Sequence, residues 1–110
     1  MELHDQVESE LARAEKAHLE GLEGRARVCA RRAAGFILRV YAQPYLDSPQ
    51  PTNAYDLLQV VRDTPRFPGE VRRIAGLLLT RVNEDFELPD HTDLVAETRR
   101  LVQLVESEIA

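Results

Sequence analysis

Arg25-Ala26-Arg27-Val28-Cys29-Ala30-Arg31-Arg32-Ala33-Ala34-Gly35-Phe36-Ile37-Leu38-Arg39-Val40-Tyr41-Ala42-Gln43 is the stretch whose reading decides the fold. Its apolar stripe, Ala26, Cys29, Ala33, Phe36, Ile37, Val40 and Tyr41, advances in three- and four-residue steps, the spacing of one helical face. The small residues Ala26, Ala30, Ala33, Ala34 and Gly35 leave little bulk between backbones, so a neighbouring helix can approach closely. This pattern predicts a helix at the centre of the molecule.

The flanking sequence reads the same way. Upstream, from Glu2 to Glu20, Leu3, Val7, Leu11, Ala14 and His18 mark one face of a first helix, and Gly21 and Gly24 mark the break after it. Downstream, Pro44 ends the central helix, and the proline-rich stretch to Thr52 reads as a connector. Thr52 or Asn53 is placed to cap a short helix over Ala54 to Asp63, with Leu57, Leu58 and Val61 inward. Pro68 suits the first turn of a fourth helix running to about Glu84, with Val71, Ile74, Leu77, Leu78 and Val82 inside. After a loop over Asp85 to His91, Asp90 or Thr92 is placed to cap a fifth helix, Asp93 to Glu108. Its inner side holds Leu94, Val95, Leu101, Val102, Val105 and Ile109. No strand-like alternation or repeat occurs. The expectation is an all-α, antiparallel up-down bundle of four long helices plus one short helix, a single domain over residues 1–110.

Composition narrows the function classes. Apolar residues make up 44% and charged residues 30%, which suits a globular chain. Aromatics are 5%, with no tryptophan, and this weighs against single-strand readers that stack bases on aromatic rings. The lone Cys29 supports neither an intramolecular disulfide nor a cysteine zinc site and reads as a small core residue. Met1 to Gln6 is polar and acidic, unlike a secretory signal, and no apolar run is long enough to span a bilayer. We therefore expect a cytoplasmic protein that makes no membrane contact. The net charge is −5, but it is unevenly spread: residues 21–43 carry +4 and residues 65–82 carry +3.

The motifs of phosphate loops and zinc proteases are absent. Glu15 and His18 show the Glu-x-x-His spacing of bundle metal sites once only, so no metal and no cofactor is expected. Arg13 and His18 could form a basic-plus-imidazole pair for RNA cleavage. Five helical positions, however, turn them about 140° apart. No catalytic residue is assigned, and binding is expected rather than catalysis. The candidate binding residues are Arg25, Arg32 and Arg39, at seven-residue intervals along one flank of the central helix, with Arg72 and Arg73. Arg27 and Arg31 lie on the opposite side. The simpler reading pairs these arginines with the acidic first and fifth helices. The sharper one makes Arg25, Arg32, Arg39, Arg72 and Arg73 an anion-binding stripe for phosphate, nucleotide or RNA.

One family shares this layout. The polar-acidic first helix, the glycine break and the run Gly24-Arg25-Ala26-Arg27-Val28-Cys29-Ala30-Arg31-Arg32-Ala33-Ala34 resemble the opening helical pair of HEPN domains. Thr52-Asn53-Ala54-Tyr55-Asp56-Leu57-Leu58 looks like the short helix of that family, with Asn53 where a histidine is expected. Asp93-Leu94-Val95-Ala96-Glu97 is similar to the start of its final helix. The resemblance implies a homodimeric helical bundle, often encoded beside a nucleotidyltransferase, and a ribonuclease in active members. Those members place a histidine a few residues after an arginine late in the fold. Here Arg81 is followed only by the distant His91, and Arg13 and His18 sit in the wrong helix. The resemblance therefore implies a non-catalytic relative that binds a nucleotide, RNA or a partner protein. A ribonuclease and a purely structural interaction domain are the alternatives.

Overall fold

Gly21 is where the first helix stops. In the computed structural model, which describes residues 2–80 and 93–109, α1 spans Leu3–Leu19, and Gly21 follows with a φ of 78°, a conformation that glycine adopts without strain. The amide of Leu22 donates to the Ala17 carbonyl and that of Gly21 to the His18 carbonyl, the paired bonds of a Schellman turn. This turn closes α1 and delivers the chain directly into α2, Glu23–Tyr41. The break is thus at Gly21 alone, and Gly24 lies within α2.

A short 3-10 turn, Gln43–Tyr45, opens the connector to α3, Ala54–Asp63. Asn53 caps α3, its side chain accepting from the Asp56 amide at 2.8 Å. Asn53→Ala is expected to lower stability by about 1 kcal/mol. Thr52→Ala, which keeps the backbone groups, should be near neutral, and urea denaturation of the two variants distinguishes them.

Helix α4, Gly69–Leu79, begins after Pro68 and is shorter than its sequence pattern predicts. Thr80 turns extended, with its hydroxyl bonded to the Gly76 carbonyl, and ends the helix before the expected Glu84. Val82, placed inside by its periodicity, lies outside the described residues, as do Asp90 and Thr92. The cap of α5, Leu94–Leu104, is Asp93, whose carboxylate accepts from the amides of Val95 and Ala96. A wider π-helical turn, Val105–Ile109, follows. The outcome is an all-helical fold with no strand among the described residues. Its two long helices, of 17 and 19 residues, are joined by three of 10 or 11, in place of the expected four long and one short.

The central position expected for α2 is borne out: it packs against α1, α3 and α5 and touches α4. One continuous apolar core runs through all five helices, and it includes Leu11, Ile37, Leu58, Ile74 and Leu101. Ala26, Ala30, Ala33, Ala34 and Gly35 are all buried here, as are Leu94, Leu101 and Val105 of the C-terminal segment, so these small and apolar faces are used within the chain. Two stripe positions differ from the sequence reading. Leu38 is fully buried while Val40 is 55% exposed, because α2 is covered on several sides and its buried arc reaches past the periodic stripe. On α1, Ala17 turns inward and His18 faces out. No helix among the described residues is long and apolar enough to cross a membrane.

Candidate functional site

The Schellman turn sets α1 and α2 side by side, and their outer faces enclose an open groove of about 580 Å³. On α1, Arg13, Lys16 and Ala17 fall on one face by their three- and four-residue spacing, with Glu20 just past the helix end; on α2, Gly24, Arg25, Val28, Cys29 and Arg32 do the same. Each wall therefore carries two cations. Of the apolar residues in the lining, Ala17 and Cys29 are buried and Val28 is exposed, and Glu20 is the one carboxylate.

The four cations are not equally engaged. Arg13 makes an ion pair with Glu10 at 3.3 Å. Lys16, Arg25 and Arg32 have no ion-pair partner among the described residues. Cys29 is buried at the floor. Burial, reinforced by the Glu10 carboxylate, pushes its thiol pKa up, while Arg32 and Arg13 pull weakly the other way. The thiol stays protonated at neutral pH and behaves as a core group, not a nucleophile.

The other arginines singled out in the sequence have different work. Arg39 donates to the Thr52 carbonyl at 2.9 Å, and Gln50 donates back to the Arg39 carbonyl at 2.8 Å, so this arginine fastens the connector. Arg72 donates to the Arg62 carbonyl in the last turn of α3 at 3.0 Å. Arg73 pairs with Glu70 and Glu97, and Arg100 joins Glu70, tying α4 to α5. The two arginines drive the Glu70 carboxylate below its usual range. Of the five candidates, the structure gathers Arg25 and Arg32 into one groove and places Arg39, Arg72 and Arg73 elsewhere. Arg13 and Lys16, which complete the groove, escape a reading of α2 alone. Their signal is the inward turn of Ala14 and Ala17, which sets both cations beside the α2 contact.

Arg27 and Arg31, on the opposite side of α2, reach the C-terminus of α4. Arg27 donates to the Thr80 carbonyl, and Arg31 donates to the Leu78 carbonyl at 2.6 Å while its guanidinium lies 5.1 Å from the centre of the Tyr55 ring. These oxygens are the orphan acceptors of a helix end, where positive charge is favoured. Burial lowers the pKa of both groups, which nonetheless stay charged. Arg27, Arg31 and Arg39 thus bind backbone carbonyls instead of the expected carboxylates of α1 and α5. Between α1 and α5, Arg99 pairs with Glu8 at 3.0 Å.

No family model, curated protein or solved structure matches the chain. His18 contacts Glu23 at 2.7 Å while Arg13 contacts Glu10, so the arginine–histidine pair is not assembled. Glu15 and His18 share a recess of about 220 Å³ with Asp93 and Arg99, and no group of three or more metal-ligating side chains occurs among the described residues.

Proposed function

We propose that the chain is a non-catalytic binding module of HEPN-like layout, an up-down antiparallel bundle working as a homodimer, which holds an anionic ligand in the groove between α1 and α2. The observation that carries this reading is the convergence of Arg13, Lys16, Arg25 and Arg32 on one groove, with Arg25 and Arg32 lacking an ion-pair partner among the described residues. Guanidinium groups held this way offer forked donors that suit phosphate and carboxylate oxygens alike. A nucleotide, RNA or an acidic partner all belong to that ligand class, and a nucleotidyltransferase encoded alongside, in the cytoplasm, is the partner that the layout suggests. The exposed Leu19 and Leu22 at the α1–α2 turn supply apolar surface for association.

The test is paired charge reversal. Arg25→Glu with Arg32→Glu is expected to weaken binding to a heparin probe by about tenfold or more, equivalent to about 1.4 kcal/mol, with the circular dichroism spectrum unchanged. Arg66→Glu with Arg99→Glu makes the same change in net charge away from the groove and should have little effect. Equal losses in both variants, or no binding by the unmodified protein, would remove the groove as the site. Native mass spectrometry of the same samples reads the dimer directly.

A further inference from the structure

Resting on the reading that this groove holds an anion, we propose that its ligand is an acidic amphipathic helix of a partner protein, laid along the groove as a third helix. The two walls are built alike. Positions 13, 16–17 and 20 along α1 and its C-cap, and positions 25, 28–29 and 32 on α2, each extend over seven residue steps, which is two helical turns and about 10 Å of axis. Arg13 and Lys16 stand on one wall and Arg25 and Arg32 on the other; Ala17 and Cys29 are buried beneath them, and Val28, 42% exposed, lies on the solvent side of Arg25 and Arg32. A helix that sets carboxylates against the cations of both walls and an apolar side chain against Val28 complements this surface, as charged flanks beside apolar contacts do in helical bundles.

Three observations favour a helix over a polyphosphate chain. Val28, set between Arg25 and Arg32, is 42% exposed, and Leu22 and Leu19, at 42% and 79%, extend the apolar surface beyond the groove at the α1–α2 turn. Covering such side chains stabilises a complex only when the partner is itself apolar there, and a sugar-phosphate backbone is not. The lining has no aromatic ring on which a base could stack. Glu20, at the turn end of the groove, repels phosphate but can meet a lysine or the amide end of a helix.

The probe is a fluorescein-labelled peptide of about 20 residues, long enough to form a helix, with leucine along one seam, glutamate on both flanks and alanine elsewhere. Fluorescence anisotropy should show it binding at least tenfold more tightly than a peptide of the same composition with its order scrambled. Val28→Glu and the Arg25→Glu/Arg32→Glu pair should each weaken it at least tenfold, and lysine-flanked peptide should recover binding to the charge-reversed pair. Equal affinity for the scrambled peptide, or tighter binding of a polyuridine oligonucleotide, would overturn the helix while leaving an anion-binding groove. Failure of every anionic probe would overturn both readings. If the chain alone forms a dimer that Val28→Glu breaks, the groove is filled by a second copy and the partner helix is ruled out.

Discussion

Leu38→Ala is expected to lose about 2–5 kcal/mol of stability, the range for emptying a fully buried leucine site. Leu38 has no solvent exposure and belongs to the core shared by all five helices, on a helix that touches the four others. The cavity left by truncation would be walled by rigid helix faces, which limits how far the site can collapse. Val40→Ala, two positions along the same helix, removes a side chain that is 55% exposed and should change stability by only about 0.5 kcal/mol or less. Urea unfolding followed by circular dichroism separates the two. Similar losses would mean that α2 is rotated from the orientation described here.

Gly35→Leu should cost about 1–3 kcal/mol through overpacking. A Cβ placed on Gly35 would stand 2.9 Å from the Cβ of Ala54 and 3.6 Å from its Cα, at the first residue of α3. A leucine therefore meets a helix backbone, not a flexible side-chain tip, and α3 must move away from α2. The contact can be isolated with smaller changes. Gly35→Ala sets the higher helix propensity of alanine, about 1 kcal/mol, against the short contact with Ala54. Adding Ala54→Gly removes the opposing Cβ, so the double variant should be more stable than the sum of the two single effects. Additivity in thermal unfolding would show that the two helices do not meet at this point.

The helices were legible in the sequence because their signals are local. Periodic apolar positions, the proline-rich connector and Asn53 ahead of Ala54 each act within a few residues, and each falls where the structure has a boundary or a buried face. The edges of the stripes were not legible. Whether Leu38 or Val40, and Ala17 or His18, turns inward depends on which neighbours cover the flank, and periodicity does not encode that. The groups that meet the end of α4 are equally distant in sequence: Arg27 and Arg31, 53 and 47 residues away, donate to the carbonyls of Thr80 and Leu78. For the groove, the seven-residue spacing of Arg25 and Arg32 was visible on one helix. Arg13 and Lys16 became part of it only when α1 was laid beside α2.

The carbonyl partners of Arg27, Arg31 and Arg39 have an effect on how the molecule meets others in solution. A carboxylate partner would cancel a guanidinium charge; a neutral carbonyl oxygen leaves it in place. Residues 21–43 therefore keep most of their formal +4 on a body whose total is −5, with Arg25, Arg32 and Arg39 as a positive band along one flank of α2. At physiological ionic strength a charge is felt over about 8 Å, so an approaching molecule experiences the band nearest to it before it experiences the total. Orientation on encounter, and the rise or fall of association rates with added salt, are then governed by this band. An isoelectric point of about 5.2 says little about which molecules this surface draws in.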